Sequence, residues 1–154
     1  MPLIPIILSY LLSFIYIGIY WNNHHHLFNA AKGISGKFLW ANLNLLFWLS
    51  LFPFTTGWMG ENHFTATPTA LYGVVLFLAA ISYFILVQAL IKHEGKQSLV
   101  TQAIGSDIKG KLSIFLYALA ILIAYFFTWV AQLIYVIVAL IWFIPDKRIE
   151  NSIK

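Results

Sequence analysis

The chain has 154 residues, of which 61% are hydrophobic and 9% charged, a net charge of +4 and no cysteine. Soluble domains carry about 25% charged residues, so these few charges exclude a water-coated globule and leave lipid to cover the surface. The missing cysteines exclude disulfides, thiolate metal sites and cysteine chemistry. The basic residues flank apolar runs without interleaved exposed aromatics, which points to anionic headgroups rather than nucleic acid.

A spanning helix needs about 20 mostly apolar residues, and the first run, 3–20, predicts a helix over about 3–28. It lacks a basic n-region and outlasts the usual h-region, so it does not read as a cleaved signal peptide. It closes in Trp21-Asn22-Asn23-His24-His25-His26-Leu27-Phe28. Successive histidines on a helix point about 100° apart and do not converge on one ion. Trp21 and His24, by contrast, share a face at i, i+3. The short loop that follows holds Lys32 and Lys37, and Asn42 and Asn44 open the next helix. Buried amides and imidazoles in lipid need partners. The spacing therefore predicts a hydrogen-bond network of Trp21, His24 and Asn42.

The second helix is predicted over about 37–58, with Pro53-Phe54-Thr55-Thr56 near its far end. Proline removes a backbone donor and bends a helix, and a neighbouring hydroxyl such as that of Thr55 takes up the freed carbonyl. Pro53 and Thr55 thus mark a predicted kink. The third helix is expected over about 68–92, after a loop that carries Glu61 and no basic residue. Gln88 in this helix and Gln132 further on are isolated polar groups expected to hydrogen-bond between helices.

The last apolar run, 112–144, is about 33 residues, or about 50 Å as one helix, against about 30 Å of hydrocarbon. Basic loops stay on the cytoplasmic side. A hairpin turning near Phe127-Thr128-Trp129 brings Lys147, Arg148 and Lys154 to the same side as Lys32, Lys37, Lys92, Lys96, Lys109 and Lys111. Two helices, about 111–126 and 129–145, are therefore expected. The prediction is an all-α polytopic bundle, one transmembrane domain over 1–154, with five spanning helices and a cytoplasmic C-terminus. The same charge argument leaves Met1 outside, which is explained if one more helix lies upstream of it.

Small residues at interface spacing, Ser9 with Ser13 and Ala120 with Ala124, let helices approach closely in lipid. No Asp, Glu, Lys or Arg lies deep in a predicted span, which argues against a carrier built on a charged relay. There is no carbonyl filter of the TVGYG type, no phosphate-cradling glycine loop and no paired carboxylate site. No cofactor is indicated, and an enzyme is not expected.

The order Trp21-x-x-His24-x-x-Leu27-Phe28, then Asn42, then Pro53-Phe54-Thr55, with the ending Trp142-Phe143-Ile144-Pro145-Asp146-Lys147-Arg148, resembles the transmembrane protein 175 family. These are endosomal, lysosomal and prokaryotic potassium channels. The resemblance covers nearly the whole chain as the family's second to sixth helices. It implies a potassium channel subunit in a homo-oligomer, a tetramer in prokaryotes, in a bacterial inner membrane. It also implies that selectivity comes from apolar side chains of the family's first helix. That helix carries an Arg…Phe-Ser-Asp motif absent here, to which the positions of Trp21, His24 and Asn42 hydrogen-bond. The expectation is a form lacking the pore-lining helix. The alternatives are a non-conducting membrane structural or interaction protein, and an intramembrane metal-binding protein using His24 to His26.

Overall fold

The computed structural model describes residues 3–31, 33, 35–95, 98, 101 and 107–143, and they form an all-helical bundle. Lys32, Lys96, Lys147, Arg148 and Lys154, with the ending after Phe143, lie outside the described residues. The elements are α1 (Leu3–Ala30), α2 (Gly36–Ser50), α3 (Phe52–Glu61), α4 (Ala66–Glu94), α5 (Ile108–Ile123) and α6 (Thr128–Phe143). Three continuous apolar stretches are long enough to cross a membrane: Leu3–Asn29, Gly36–Glu61 and Ala66–Glu94.

The segment expected as one kinked helix is divided at Leu51 into α2 and α3, with Pro53 in the first turn of α3. The missing proline donor costs little there, because the first amides of a helix have no intrahelical acceptor. The Thr55 hydroxyl donates to the Leu51 carbonyl at 3.0 Å, and that of Thr56 to the Phe52 carbonyl at 2.7 Å. Two hydroxyls, rather than one, occupy the carbonyls at the break.

The final apolar run folds as the antiparallel pair α5 and α6, turning over 124–127. The Trp142 indole N–H donates to Ser113 Oγ at 2.7 Å, which ties the end of α6 to the start of α5. Each helix has 16 residues, so each is about 24 Å long and shorter than the hydrocarbon core.

Other boundaries follow local chemistry. Ser35 caps α2 by accepting from the Phe38 amide at 3.3 Å. The Asp107 carboxylate caps α5 by accepting from the Gly110 amide at 3.1 Å; negative charge is favoured at that positive helix end. Lys92 and His93 occupy the last turn of α4, where positive charge is favoured. Gly95 follows at φ +86°, a conformation that suits glycine.

α4 is the central helix. Half of its most apolar stretch is buried, against 22% for α1. Tyr16, Phe52, Tyr72, Tyr117 and Tyr135 form a buried aromatic layer across α1, α3, α4, α5 and α6. The Tyr16 hydroxyl donates to the Tyr135 carbonyl. The Tyr117 hydroxyl reaches that of Tyr16 at 3.4 Å, and the Tyr135 hydroxyl donates to the Thr69 carbonyl at 3.1 Å. A hydroxyl in a low-dielectric interior needs a partner; those of Tyr16, Tyr117 and Tyr135 find theirs on other helices, whereas that of Tyr72 has none among the described residues.

The small-residue pairs sit at helix contacts. Ser9, Ser13, Ala120 and Ala124 are all buried. A methyl group placed on Gly60 of α3 would stand 2.6 Å from Ser9 Oγ and 3.0 Å from the Pro5 carbonyl oxygen. The α1 and α3 backbones therefore approach too closely there for a larger residue. Gln132 reaches the Phe64 carbonyl at 3.4 Å. Gln88 is exposed on α4 and makes no interhelical bond among the described residues, because its position points away from the bundle.

Candidate functional site

Helix directions place the charges. α2 starts, α4 ends and α5 starts at one end of the bundle, so Lys37, Lys92, Lys109 and Lys111 stand together there. The opposite end carries the start of α1, the end of α3, the start of α4 and the turn between α5 and α6.

His24 and Asn42 meet near the lysine end. α1 packs on α3 and meets α2 through side chains at the lysine end, which brings His24 Nε2 to 2.6 Å from Asn42 Oδ1. In this orientation Nε2 carries the proton and the amide oxygen accepts it. The His24 ring lies 4.2 Å from Phe28, which lies 4.7 Å from the buried Phe38. That wall fixes the imidazole plane. Both His24 and Asn42 are half-buried, so the pair lies at the edge of the helix contact.

Trp21 is placed differently. Its ring stacks on His25 at 5.4 Å with the planes 12° apart, and no hydrogen bond joins it to His24 or Asn42 among the described residues. Asn29 Nδ2 in turn donates to His25 Nε2 at 3.0 Å. Trp21 and His25 continue an exposed stripe down α1 that includes Ile7, Leu11, Phe14 and Gly18. This stripe faces away from the rest of the chain, opposite the face that buries Ser9, Tyr16 and Leu27, and His24 lies at its flank. Among the described residues, no three His, Cys, Asp or Glu side chains come together as a metal site.

Sequence reasoning missed three polar links. Asn44 Nδ2 donates to Ser82 Oγ at 2.7 Å, and Ser82 donates on to the Leu78 carbonyl at 2.8 Å. The Trp142 to Ser113 bond and the tyrosine layer are the others. Asn44 gave a signal as an amide in an apolar helix; its partner on a remote helix gave none. A cavity of about 20 Å³ between α1, α4, α5 and α6 is lined by Tyr20, Asn23, Tyr83, Ser113 and Trp142, among others. It has room for about one or two waters.

The family profile described as "Endosomal/lysosomal potassium channel TMEM175" matches residues 1–53, the segment that contains Trp21, His24, Asn42 and Pro53. A protein of Chryseobacterium sp. (strain P1-3) named as a potassium channel is 52% identical over 153 residues, which cover 99% of this chain and 80% of that protein. The chain belongs to the TMEM175 family. A second relative, from Streptomyces collinus (strain DSM 40733 / Tue 365) and also named as a potassium channel, is 26% identical over 83 residues. That match covers 51% of this chain and 40% of the relative. No solved structure matches. The TMEM175 match and the three spanning-length apolar stretches make this a multi-pass membrane protein.

Proposed function

We propose that this chain is a potassium channel subunit in which His24 and Asn42 set the scaffold, and Trp21 belongs to the face that receives a pore-lining helix not contained in these 154 residues. The observation that carries this reading is the 2.6 Å bond between His24 and Asn42, made by two positions of the motif that the family profile spans. Together with the Tyr16 and Ser9 contacts, the bond sets the rotation of α1. That rotation aims the stripe of Ile7, Leu11, Phe14, Gly18, Trp21 and His25 away from the chain's own core. An apolar and aromatic stripe of that length accommodates another helix, and Trp21, whose indole N–H has no partner among the described residues, gives that helix a polar anchor. Pro53 and Thr55 begin α3 just past the break at Leu51.

The subunits assemble as a homo-oligomer, a tetramer by family resemblance, around a central path for potassium. The lysine end faces the cytoplasm by the charge rule, so the turn carrying Glu61 faces outward and the C-terminus is cytoplasmic. The membrane is a bacterial inner membrane.

Potassium flux from proteoliposomes tests the reading. A gene extended to restore the family's pore-lining helix ahead of α1 should conduct, and His24→Ala in it should lower both subunit assembly and flux. Unchanged flux and assembly in His24→Ala would remove His24 from the scaffold role. The 154-residue chain alone should carry no flux; flux at the level of the restored gene would refute the need for another helix. A restored gene that stays silent would favour a non-conducting structural protein.

A further inference from the structure

At the end of the bundle away from the lysines, a groove of about 560 Å³ runs along α3 and is lined by Pro53, Phe54, Gly57, Trp58, Glu61 and Leu71. Its size falls within the range of small-molecule sites. Its construction is polarised. Pro53, Gly57 and Glu61 follow at i, i+4 and i+8, one helix face, and span about 12 Å along the axis. Pro53 and Gly57 have no bulk to fill the floor, and a methyl group on Gly57 would meet nothing within 4 Å. Phe54 and Trp58 form one wall and Leu71 of α4 the other. The Glu61 carboxylate stands at the mouth, exposed and with no ion pair among the described residues.

The groove is thus apolar toward the middle of the bundle and anionic at its rim. We propose that it binds the acyl chain of a membrane phospholipid and takes that lipid's ammonium headgroup on Glu61, with the Trp58 ring beside it. Charge complementarity selects the lipid class. A carboxylate beside an aromatic ring attracts an alkylammonium group. An anionic headgroup would meet Glu61 and find no lysine or arginine, because every described one stands at the opposite end. The axis fits as well, since the apolar floor points to mid-bilayer and the carboxylate to the interface. The occupant is therefore a phosphatidylethanolamine-type lipid.

Native mass spectrometry of the full chain, with phosphatidylethanolamine or phosphatidylglycerol added separately, tests the assignment. Phosphatidylethanolamine should be retained about fivefold better, the scale of one partly wet ion pair. Glu61→Gln should erase that preference and leave the fold intact. Gly57→Leu fills the floor and should reduce retention of both lipids, at unchanged thermal unfolding temperature. Equal retention of the two lipids by the unaltered chain, or a preference that survives Glu61→Gln, would overturn the proposal. So would a Gly57→Leu variant that keeps its lipid and changes its subunit number, which would make the groove a contact between copies.

Discussion

Substituting alanine for glycine in a helix stabilises by about 1 kcal/mol when only backbone freedom changes. Two glycines here should respond with opposite sign. At Gly18 on the exposed stripe of α1, an added methyl meets nothing within 4 Å, so Gly18→Ala should gain up to about 1 kcal/mol. At Gly73 in α4 the methyl would overlap the Tyr135 hydroxyl and stand 2.9 Å from Ile121 Cγ1 and 3.0 Å from Tyr135 Cζ. The tyrosine cannot swing aside freely. Tyr72 holds its ring edge-on at 5.5 Å, Tyr117 lies at 6.3 Å, and the hydroxyl is held on the Thr69 carbonyl at 3.1 Å. Overpacking costs about 1–3 kcal/mol, and an interhelical hydrogen bond in a membrane averages about 0.6 kcal/mol, with about 1.7 at most. Against the propensity gain, Gly73→Ala should lose about 1–3 kcal/mol. Unfolding in mixed micelles titrated with a denaturing detergent, followed by circular dichroism, would measure both variants. Removing the hydroxyl supplies the control. In a Tyr135→Phe background the overlapping atom is gone, so the penalty of Gly73→Ala should shrink by about 1 kcal/mol or more. A Gly73→Ala protein as stable as Gly18→Ala would refute the reasoning. Additive losses in the double variant would refute it equally.

Two further outcomes test the polar contacts. The Tyr72 hydroxyl is buried with no partner among the described residues, and leaving such a group unpaired costs about 1–3 kcal/mol. Tyr72→Phe should therefore hold or raise the detergent-unfolding midpoint, whereas Tyr135→Phe lowers it; a clear loss in Tyr72→Phe would show a partner for that hydroxyl. Asn44→Leu and Ser82→Ala remove the two ends of one 2.7 Å bond. A double-mutant cycle should return a coupling of about 0.5–1.5 kcal/mol, and zero coupling would deny the contact.

Much of the fold was legible in residue chemistry. Apolar length gave three helices, and charge placement called for a division of the last run; the turn falls at 124–127, with Thr128 and Trp129, expected in the turn, opening α6. Ser9, Ser13, Ala120 and Ala124 marked contacts because small side chains are the ones that let helices approach in lipid. The segment around Pro53 was legible as a disturbance but not as a complete break. The pairing of Thr55 with Leu51 and Thr56 with Phe52 depends on which way the chain re-enters a helix. His24 with Asn42 could be read because a short loop separates their helices. Asn44 with Ser82, and Tyr135 with Thr69, could not, since their partners are 38 and 66 residues away. Trp21 shows the limit of spacing alone. It shares a helix face with His24 at i, i+3 but with His25 at i, i+4, and the ring stacks on the latter. Gln88 shows the same limit, because nothing in its neighbours says which face of α4 it occupies.

The contacts of α1 also constrain how it moves. It is held at three depths: Ser9 against Gly60, Tyr16 on Tyr135 and Tyr117, and His24 on Asn42. Apolar side chains gain little by leaving lipid for protein, so close packing and hydrogen bonds carry the attachment. Rotation of α1 about its own axis would break all three contacts and bury part of the Trp21 stripe. Tilting about Tyr16 would disturb only the ends. The tyrosine contact is fully buried and shared among three helices, while the His24 and Asn42 pair is half-buried and consists of one bond, worth about 0.6 kcal/mol on the membrane average. The lysine end of α1 is held further by the buried Leu27 and by the Tyr83 hydroxyl, which donates to the Asn23 carbonyl at 3.4 Å, so α1 is anchored on both sides of Tyr16.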